Sequence, residues 1–93
     1  MKYYVFCFDI ADNKVRYRVS RILLDYGDRV QGSVFELALK SHHDIAKILE
    51  KINKIINPMT DDVRYYYLSG ESLRRSKNLQ GERVKQTPAI IIV

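Results

Sequence analysis

The order of apolar patterns along the chain predicts an α+β sandwich with the element order βαββαβ and one additional C-terminal strand. Two segments carry apolar residues at helical spacing, and about four short segments show the patterns that are typical of strands. The 93 residues suit a single domain, 1–93, made of a core at 1–68 and an extension at 69–93. This combination is typical of a ferredoxin-like domain, in which both helices pack on one face of the sheet. The other face needs a second copy to cover it, so we expect a homodimer.

The first strand is predicted at residues 3–8, a short apolar segment that leads directly into Asp9. Because side chains alternate between the two faces of a strand, we expect Tyr4, Phe6 and Phe8 to share one face. A strand normally ends in turn-forming residues, whereas this one ends in a carboxylate. Asp9 is therefore a candidate functional residue.

The first helix is predicted from Asn13 to Tyr26, where the apolar period changes from that of a strand to that of a helix. Asp12 or Asn13 can cap its first turn, and Gly27 is expected to end it as a left-handed C-cap. One face of this helix carries the apolar residues Val15, Val19, Ile22, Leu23 and Tyr26.

A second extended segment is predicted at Val30–Leu39, in which Gly32 marks a bulge or a close approach of the backbone. The second helix is expected to follow Ser41, with Asp44 completing a capping box, and to end at Asn57–Pro58. Its apolar stripe consists of Ile45, Ile48, Leu49, Ile52 and Ile56.

The last third of the chain predicts a strand, a short helix and a C-terminal strand. Residues 62–68 suit the strand, and residues 71–78 suit the short helix. Residues 89–93 read AIIIV, which is too short for a helix and too apolar to remain in water. We therefore expect 89–93 to pair with a sheet edge.

The composition favours a polyanionic partner and an intracellular location. Sixteen Lys and Arg residues face eleven Asp and Glu residues, which gives a net charge of +5 and a pI of about 9.4. Cys7 is the single cysteine, so no disulfide can form within the chain. No segment resembles a signal peptide or approaches the ~20 apolar residues that a membrane span needs. We expect a cytoplasmic protein with no membrane association.

Cations are concentrated on the first helix. Lys14, Arg18 and Arg21 follow the spacing i, i+4 and i+7 along one flank, and Arg16 lies at the opposite margin of the apolar stripe. A solvated cationic surface is one interpretation, and a row of contacts to nucleic-acid phosphates is the other. None of this spacing encodes base recognition, so binding is expected to be independent of sequence. The same surface is extended by Arg29, Arg74, Arg75 and Lys77, and by Arg83 and Lys85.

Asp9 could cap the turn after the first strand, or it could hold a hard cation such as Mg²⁺. Asp12 is the only other carboxylate nearby in sequence, so a metal site would need a second Asp9 from a partner chain. His42 and His43 are adjacent and point apart, which disfavours joint zinc ligation. The strand tyrosines are expected to pack in the core and at a dimer contact rather than to stack on bases: Tyr3, Tyr4, Tyr65, Tyr66 and Tyr67.

Two motifs resemble a known family. Residues 8–12 read FDI-x-D, Arg16 and Arg18 follow, and residues 26–36 read YG-x-RVQ-x-SVFE. Together they resemble the Cas2 family of small CRISPR-associated proteins of spacer acquisition, many of which are named endoribonucleases. The likeness covers most of the chain, including the second helix, residues 62–66 and the apolar tail. One departure is Phe8, where that family often has a tyrosine.

The resemblance implies a ferredoxin-like homodimer in which the strand at 89–93 docks on the sheet of the partner. It implies that Asp9 is the Mg²⁺ ligand, with the two copies facing each other across the dimer. It also implies a catalytic role for Asp9, Arg16 and Arg18, and a functional role for Arg29 and Phe35.

The family further implies a function in CRISPR adaptation. Such a dimer binds the prespacer, a DNA duplex, and bridges two dimers of the adaptation integrase. A Mg²⁺-dependent phosphodiesterase activity is implied for some members only, so we keep a metal-dependent endoribonuclease of single-stranded RNA as an alternative. A stand-alone, toxin-like RNA-cleaving enzyme of the same fold is a further alternative.

Overall fold

The computed structural model describes residues 1–84, in which a four-stranded antiparallel sheet carries two helices on one face. The sheet has the order β2-β3-β1-β4, which is the strand order of a ferredoxin-like βαββαβ sandwich. The predicted fold class is thereby confirmed, whereas the predicted strand at 89–93 lies outside the described residues. The elements are β1 (Lys2–Asp9), α1 (Asn13–Leu24), β2 (Gly27–Gln31), β3 (Val34–Leu39), α2 (His42–Asn53), β4 (Asp62–Leu68) and α3 (Gly70–Arg75).

The central strand β1 supplies the middle of the core. Phe6 pairs with Phe35 of β3 on one side and with Tyr65 of β4 on the other. Tyr4, Phe6 and Phe8 share the buried face, as the alternation predicts, and the helices pack on this side of the sheet. The core consists of Tyr4, Phe6, Phe8, Ile10, Val19, Leu23, Phe35, Leu37, Leu39, Ile48 and Ile52.

The opposite face of the sheet, here called the open face, is much less covered. Tyr3, Val5 and Cys7 alternate with the core residues of β1 and are only half-buried. On β4 the side chain of Tyr66, which pairs with Val5, is 52% exposed. No helix within residues 1–84 is long and apolar enough to cross a membrane.

Helix α1 begins as predicted but ends earlier. The carboxylate of Asp12 accepts hydrogen bonds from the backbone N–H groups of Lys14 and Val15 at 2.8 and 3.1 Å, so it is the N-cap. The helix ends at Leu24, not at Tyr26, and its C-cap Asp25 has an ordinary helical φ of −69°.

The prediction that Gly27 is a left-handed C-cap is wrong. Gly27 opens β2 and pairs with Leu37 of β3. An added Cβ at Gly27 would lie 2.1 Å from the carbonyl oxygen of Glu36, which is far inside van der Waals contact. Glycine is needed here because two backbones approach closely, not because of a positive φ.

The predicted single strand at Val30–Leu39 is also wrong, because this segment contains the end of β2, a turn and the whole of β3. β2 ends at Gln31, β3 begins at Val34, and a two-residue turn joins them. Gly32 has a φ of +34°, a left-handed conformation that favours glycine in hairpin turns. Gly32 marks neither a bulge nor a close approach, since the register shift lies between Arg29 and Gln31 and an added Cβ at Gly32 would meet no atom within 4 Å.

Helix α2 forms without the predicted capping box. Ser41 is the N-cap, but its side chain makes no capping hydrogen bond, and its carbonyl oxygen accepts from the N–H of Asp44 at 3.2 Å. The helix ends at Asn53, so Ile56 packs against the core from beyond its C-terminus. The short helix α3 is likewise shorter than predicted, because Lys77 lies past its end in an isolated bridge with Arg83.

Candidate nucleic-acid interface and metal site

Two carboxylates meet where β1 ends. Asp9 is the last residue of β1, and it pairs directly with Asp62, the first residue of β4. Asp9 follows Cys7 in the alternation along β1, so its side chain lies on the open face. The directly opposed Asp62 lies on the same face, because paired residues of antiparallel strands have Cβ atoms about 4.5–5.5 Å apart. Asp62 was not a predicted site residue.

The carboxylate pair lines a shallow cavity of about 280 Å³ on the open face. Arg64 donates from Nε to Asp62 at 3.0 Å, and the pKa of its guanidinium is raised by hydrogen bonds to Tyr66 and then to Asp62. One of the two carboxylates therefore has a cation beside it, and Asp9 is the less compensated one. The cavity is lined by Cys7, Phe8, Asp9, Asp62, Arg64 and Tyr66.

The pair fits Mg²⁺ better than a metal with an all-protein coordination shell. Within residues 1–84 no group of three or more His, Cys, Asp or Glu side chains comes together. Mg²⁺, however, is usually held by one or two carboxylates together with waters and substrate phosphates. Asp12 does not line this cavity, and one oxygen of its carboxylate, Oδ1, caps α1.

Arg16 is held in place by the loop that follows Asp9. Its Nη1 donates to the carbonyl oxygens of Ile10 and Ala11 at 2.8 and 3.2 Å, and the residue is half-buried. Arg16 therefore links helix α1 to the backbone of the β1–α1 loop. It is not one of the residues that line the carboxylate cavity.

Arg29 and Phe35 form a second fixed unit, on β2 and β3. The guanidinium of Arg29 lies over the ring of Phe35, with Cζ 5.1 Å from the ring centroid. Phe35 is fully buried and stacks on Phe8 with centroids 5.9 Å apart. Its contact with any ligand is therefore indirect, through the arginine that it supports.

Arg16 and Arg29 face a common groove of about 460 Å³ between α1 and the β2–β3 turn, here called the hairpin groove. Phe8 lines both this groove and the carboxylate cavity. The groove is lined by Phe8, Asn13, Arg16, Tyr17, Ser20, Arg29, Gly32 and Ser33.

The other cations of α1 lie along a separate groove between the two helices. Four cationic side chains border this helix groove of about 450 Å³, and Ile22 and Ile55 form its apolar floor. Lys51 lies over the ring of Tyr26, 5.7 Å from its centroid. The cations are Arg18, Arg21, Lys51 and Lys54.

Lys51 of α2 and Lys54, the C-cap of that helix, were missed by sequence reasoning, although a signal was present. Lys47, Lys51 and Lys54 have the same i, i+4, i+7 spacing as the predicted cations of α1. Lys54 is paired with Glu50 at 3.4 Å, but both side chains are exposed, so the pair is weak. The helix layer therefore carries two parallel rows of positive charge.

The cations near α3 line neither the hairpin groove nor the helix groove. Arg74 forms an ion pair with Glu71 at 2.6 Å, and Arg75 is the exposed cation that follows it. Lys77 lies beyond the helix.

The family model for CRISPR associated protein Cas2 matches residues 1–76. The chain belongs to the Cas2 family. It is 33% identical to the CRISPR-associated endoribonuclease Cas2 3 of a Synechocystis species over 90 residues, which is 97% of each chain. It is 41% identical over 66 residues to the CRISPR-associated endoribonuclease Cas2 4 of Rhodospirillum rubrum. That match spans 71% of this chain and about half, 52%, of the relative.

Solved structures support the same assignment. This Cas2-family chain superposes with a TM-score of 0.82 on a chain of a partial Cas6-RT-Cas1–Cas2 complex, with 38% identity and full coverage of both. Streptococcus pyogenes Cas2 gives a TM-score of 0.74 at 29% identity, over 83% of this chain and 98% of that one. The predicted family and fold are confirmed.

In this Cas2-family protomer the predicted catalytic residues do not share one cavity. Asp9 lies on the open face of the sheet, whereas α1 and its cations cover the other face. Arg16 lines the hairpin groove and Arg18 lines the helix groove. Their catalytic roles, and that of Asp9, stay predictions.

Proposed function

We propose that a homodimer of this chain binds prespacer duplex DNA without sequence preference and bridges integrase dimers during spacer acquisition. Membership of the Cas2 family and similarity to a chain of a complex that contains Cas1 and Cas2 support a role in CRISPR adaptation. The observation that carries the proposal is the pair of cationic rows on α1 and α2, with the helix groove between them.

The cationic rows suit a duplex better than a compact ligand. Lys14 and Arg21 are seven residues apart on α1, which corresponds to about 10 Å along a helix. Exposed cations at this spacing can each meet a separate phosphate, and such contacts carry no sequence information. The apolar floor of the helix groove offers no hydrogen-bonding groups for base edges.

The open face of the sheet supports the homodimer. Its half-buried residues on β1 and the exposed Tyr66 of β4 give a surface that is only partly apolar and that neither α1 nor α2 covers. Packing two such faces together would bury this surface and bring two copies of Asp9 to the same interface. The dimer would thus present the cationic rows on its two outer layers.

The salt dependence of duplex binding tests this proposal. Arg18→Ala combined with Arg21→Ala removes four cations from a homodimer, and each lost phosphate contact lowers the slope of log K against log[salt] by about 0.9. We expect the slope to fall by up to about 3.6 in magnitude, measured by fluorescence anisotropy on a blunt duplex. Arg74→Ala is the matched control, because this cation lies on α3 and does not line the helix groove. An unchanged slope in the double variant would refute the proposal that these cationic rows contact the phosphates of the duplex.

A second candidate function is metal-dependent cleavage of single-stranded RNA, and the carboxylate pair favours it. Asp9 and Asp62 would hold Mg²⁺, which when bound polarises a phosphoryl oxygen and lowers the pKa of a coordinated water. The curated relatives named above are called endoribonucleases. A toxin-like enzyme of the same fold would share this chemistry, and its gene would neighbour an antitoxin rather than an integrase.

The nuclease candidate is tested with wild type and Asp9→Asn side by side, on labelled RNA and duplex DNA, with Mg²⁺ or EDTA. Cleavage that needs both Mg²⁺ and Asp9 supports it. Equal cleavage by both proteins would identify a contaminating nuclease. Absence of cleavage together with salt-sensitive duplex binding would leave the bridging role alone.

A further inference from the structure

The hairpin groove has features that the bridging of a duplex does not require. Its volume of about 460 Å³ falls within the range of roughly 300–1,000 Å³ that is typical of small-molecule sites. Its eight lining residues include two arginines and no carboxylate. The groove is therefore electropositive and large enough for one ligand unit, rather than an extended cationic surface.

Tyr17 is the least explained side chain of this groove. It lies on α1 between Arg16 and Arg18, and it is 66% exposed. Its hydroxyl and its ring make no hydrogen bond or aromatic contact within residues 1–84. A tyrosine that serves the fold is usually packed along its ring, as Tyr4 is with 4% exposure. Tyr17 is instead an exposed aromatic side chain that lines a cationic groove.

The two arginines of the groove are held in position before any ligand arrives. Arg16 is fixed by two backbone carbonyl oxygens, and both bonds use Nη1, which leaves the donors on Nε and Nη2 for a ligand. Arg29 is supported by the ring of Phe35. Cations that are already ordered lose little conformational entropy on binding, and guanidinium groups bind phosphate oxygens in a bidentate manner.

Polar groups of the right size for a base or a sugar complete the lining. Ser20 is a buried polar residue, with 5% exposure, and it lies on the inner wall of the groove. Asn13 and Ser33 line the groove as well and can both donate and accept hydrogen bonds.

We propose that the hairpin groove binds one unpaired nucleotide, with its base stacked on Tyr17 and its phosphate held by Arg16 and Arg29. An aromatic side chain can stack on a base only when that base has left the duplex, whereas cations alone bind paired and unpaired strands alike. This inference rests on the proposed nucleic-acid binding and adds to it a preference for a junction between duplex and single strand.

The test compares a blunt duplex with the same duplex carrying a single-stranded extension, made either of deoxyribonucleotides or of ribonucleotides. Binding of the full chain is measured by fluorescence anisotropy at one salt concentration. We expect Tyr17→Leu to weaken binding of the extended duplex about tenfold and to leave the blunt duplex unchanged, because one base–aromatic stack is lost. Tyr17→Phe keeps the ring and should bind as wild type does. The two kinds of extension show whether the unpaired nucleotide is drawn from DNA or from RNA.

Arg21→Ala is the control for a cation outside the hairpin groove, and it should weaken both duplexes by the same factor. Equal affinity of wild type for blunt and extended duplexes would overturn the nucleotide site and leave duplex binding in place. An equal loss for both duplexes in Tyr17→Leu would also overturn it. Failure of wild type to bind either duplex would refute the proposed function and this inference together.

Discussion

Replacement of Gly27 by alanine tests why the YG-x-RVQ motif contains a glycine. The added Cβ would lie 2.1 Å from the carbonyl oxygen of Glu36, 2.7 Å from the Cα of Leu37 and 2.8 Å from its Cδ2. Two of these three neighbours are backbone atoms of the paired strand, so no side-chain rotation can relieve the overlap. The β2–β3 pair must separate locally.

The expected loss of stability can be estimated from that separation. Overpacking of a well-packed site costs about 1–3 kcal/mol, and a backbone hydrogen bond lost from the β2–β3 ladder costs about 1 kcal/mol more. We therefore expect Gly27→Ala to lower the free energy of unfolding by about 3 kcal/mol. For a domain of this size that corresponds to a decrease in Tm of roughly 12–24 °C.

Two other glycines serve as matched controls in the same chemical-denaturation assay, at a fixed protein concentration because a dimer links stability to concentration. Gly32→Ala meets no atom within 4 Å but must hold a φ of +34°, and it should lose only about 1 kcal/mol. Gly70→Ala, in the first turn of α3, meets only the Nη1 of Arg74 at 3.6 Å and should be neutral or slightly stabilising. A loss for Gly27→Ala no larger than that for Gly32→Ala would refute the close-approach argument.

Three further predictions concern single side chains. The hydroxyl of Tyr4 lies 2.6 Å from Nδ1 of His42, so Tyr4→Phe should lower the free energy of unfolding by about 1 kcal/mol at neutral pH in urea titrations. Burial, with Tyr67 and Tyr65 nearby, raises the pKa of Tyr4 above its usual 10.0, so wild type should lose stability as pH rises beyond that value, and Tyr4→Phe should lose less. Asp12→Ala removes the N-cap of α1 and should lower the free energy of unfolding by about 1 kcal/mol in the same titrations. Asp12→Asn should keep both the cap and any Mg²⁺-dependent cleavage. Loss of cleavage in Asp12→Asn would show that Asp12 is a metal ligand. Tyr66→Glu places a charge on the open face and should shift sedimentation toward the monomer; an unchanged dimer would place the interface elsewhere.

The elements with a strong apolar period could be predicted from the sequence, whereas the hairpin depends on a turn signal that apolar periodicity does not show. In α1 and α2 the buried residues recur at helical spacing, and that period alone fixes the buried face. Between Val30 and Leu39 the extended pattern continues on both sides of Gly32 and favours one strand with a bulge. The Gly32–Ser33 pair is itself a signal of a two-residue hairpin turn, so the turn could have been predicted from the local sequence.

In the candidate site, too, some residues could be predicted from the sequence and others could not. Asp9 could be predicted because it ends a strand, and Arg16 and Arg29 could be predicted because they belong to the segments that resemble the Cas2 family. Asp62 lies far from Asp9 in sequence and becomes its neighbour only through the antiparallel register of β1 and β4. Tyr17 carried no sequence signal, because its exposure depends on how α1 packs against the sheet.

The two bonds from Arg16 to the β1–α1 loop have a consequence for genetics. An alanine at position 16 removes a cation from the hairpin groove and also frees the carbonyl oxygens of Ile10 and Ala11, directly after Asp9. One substitution therefore combines two defects, and an allele of this residue cannot separate nucleic-acid contact from metal-site geometry. Arg18 is exposed and has no such tie to the loop, so it is the position at which a separation-of-function allele can be made.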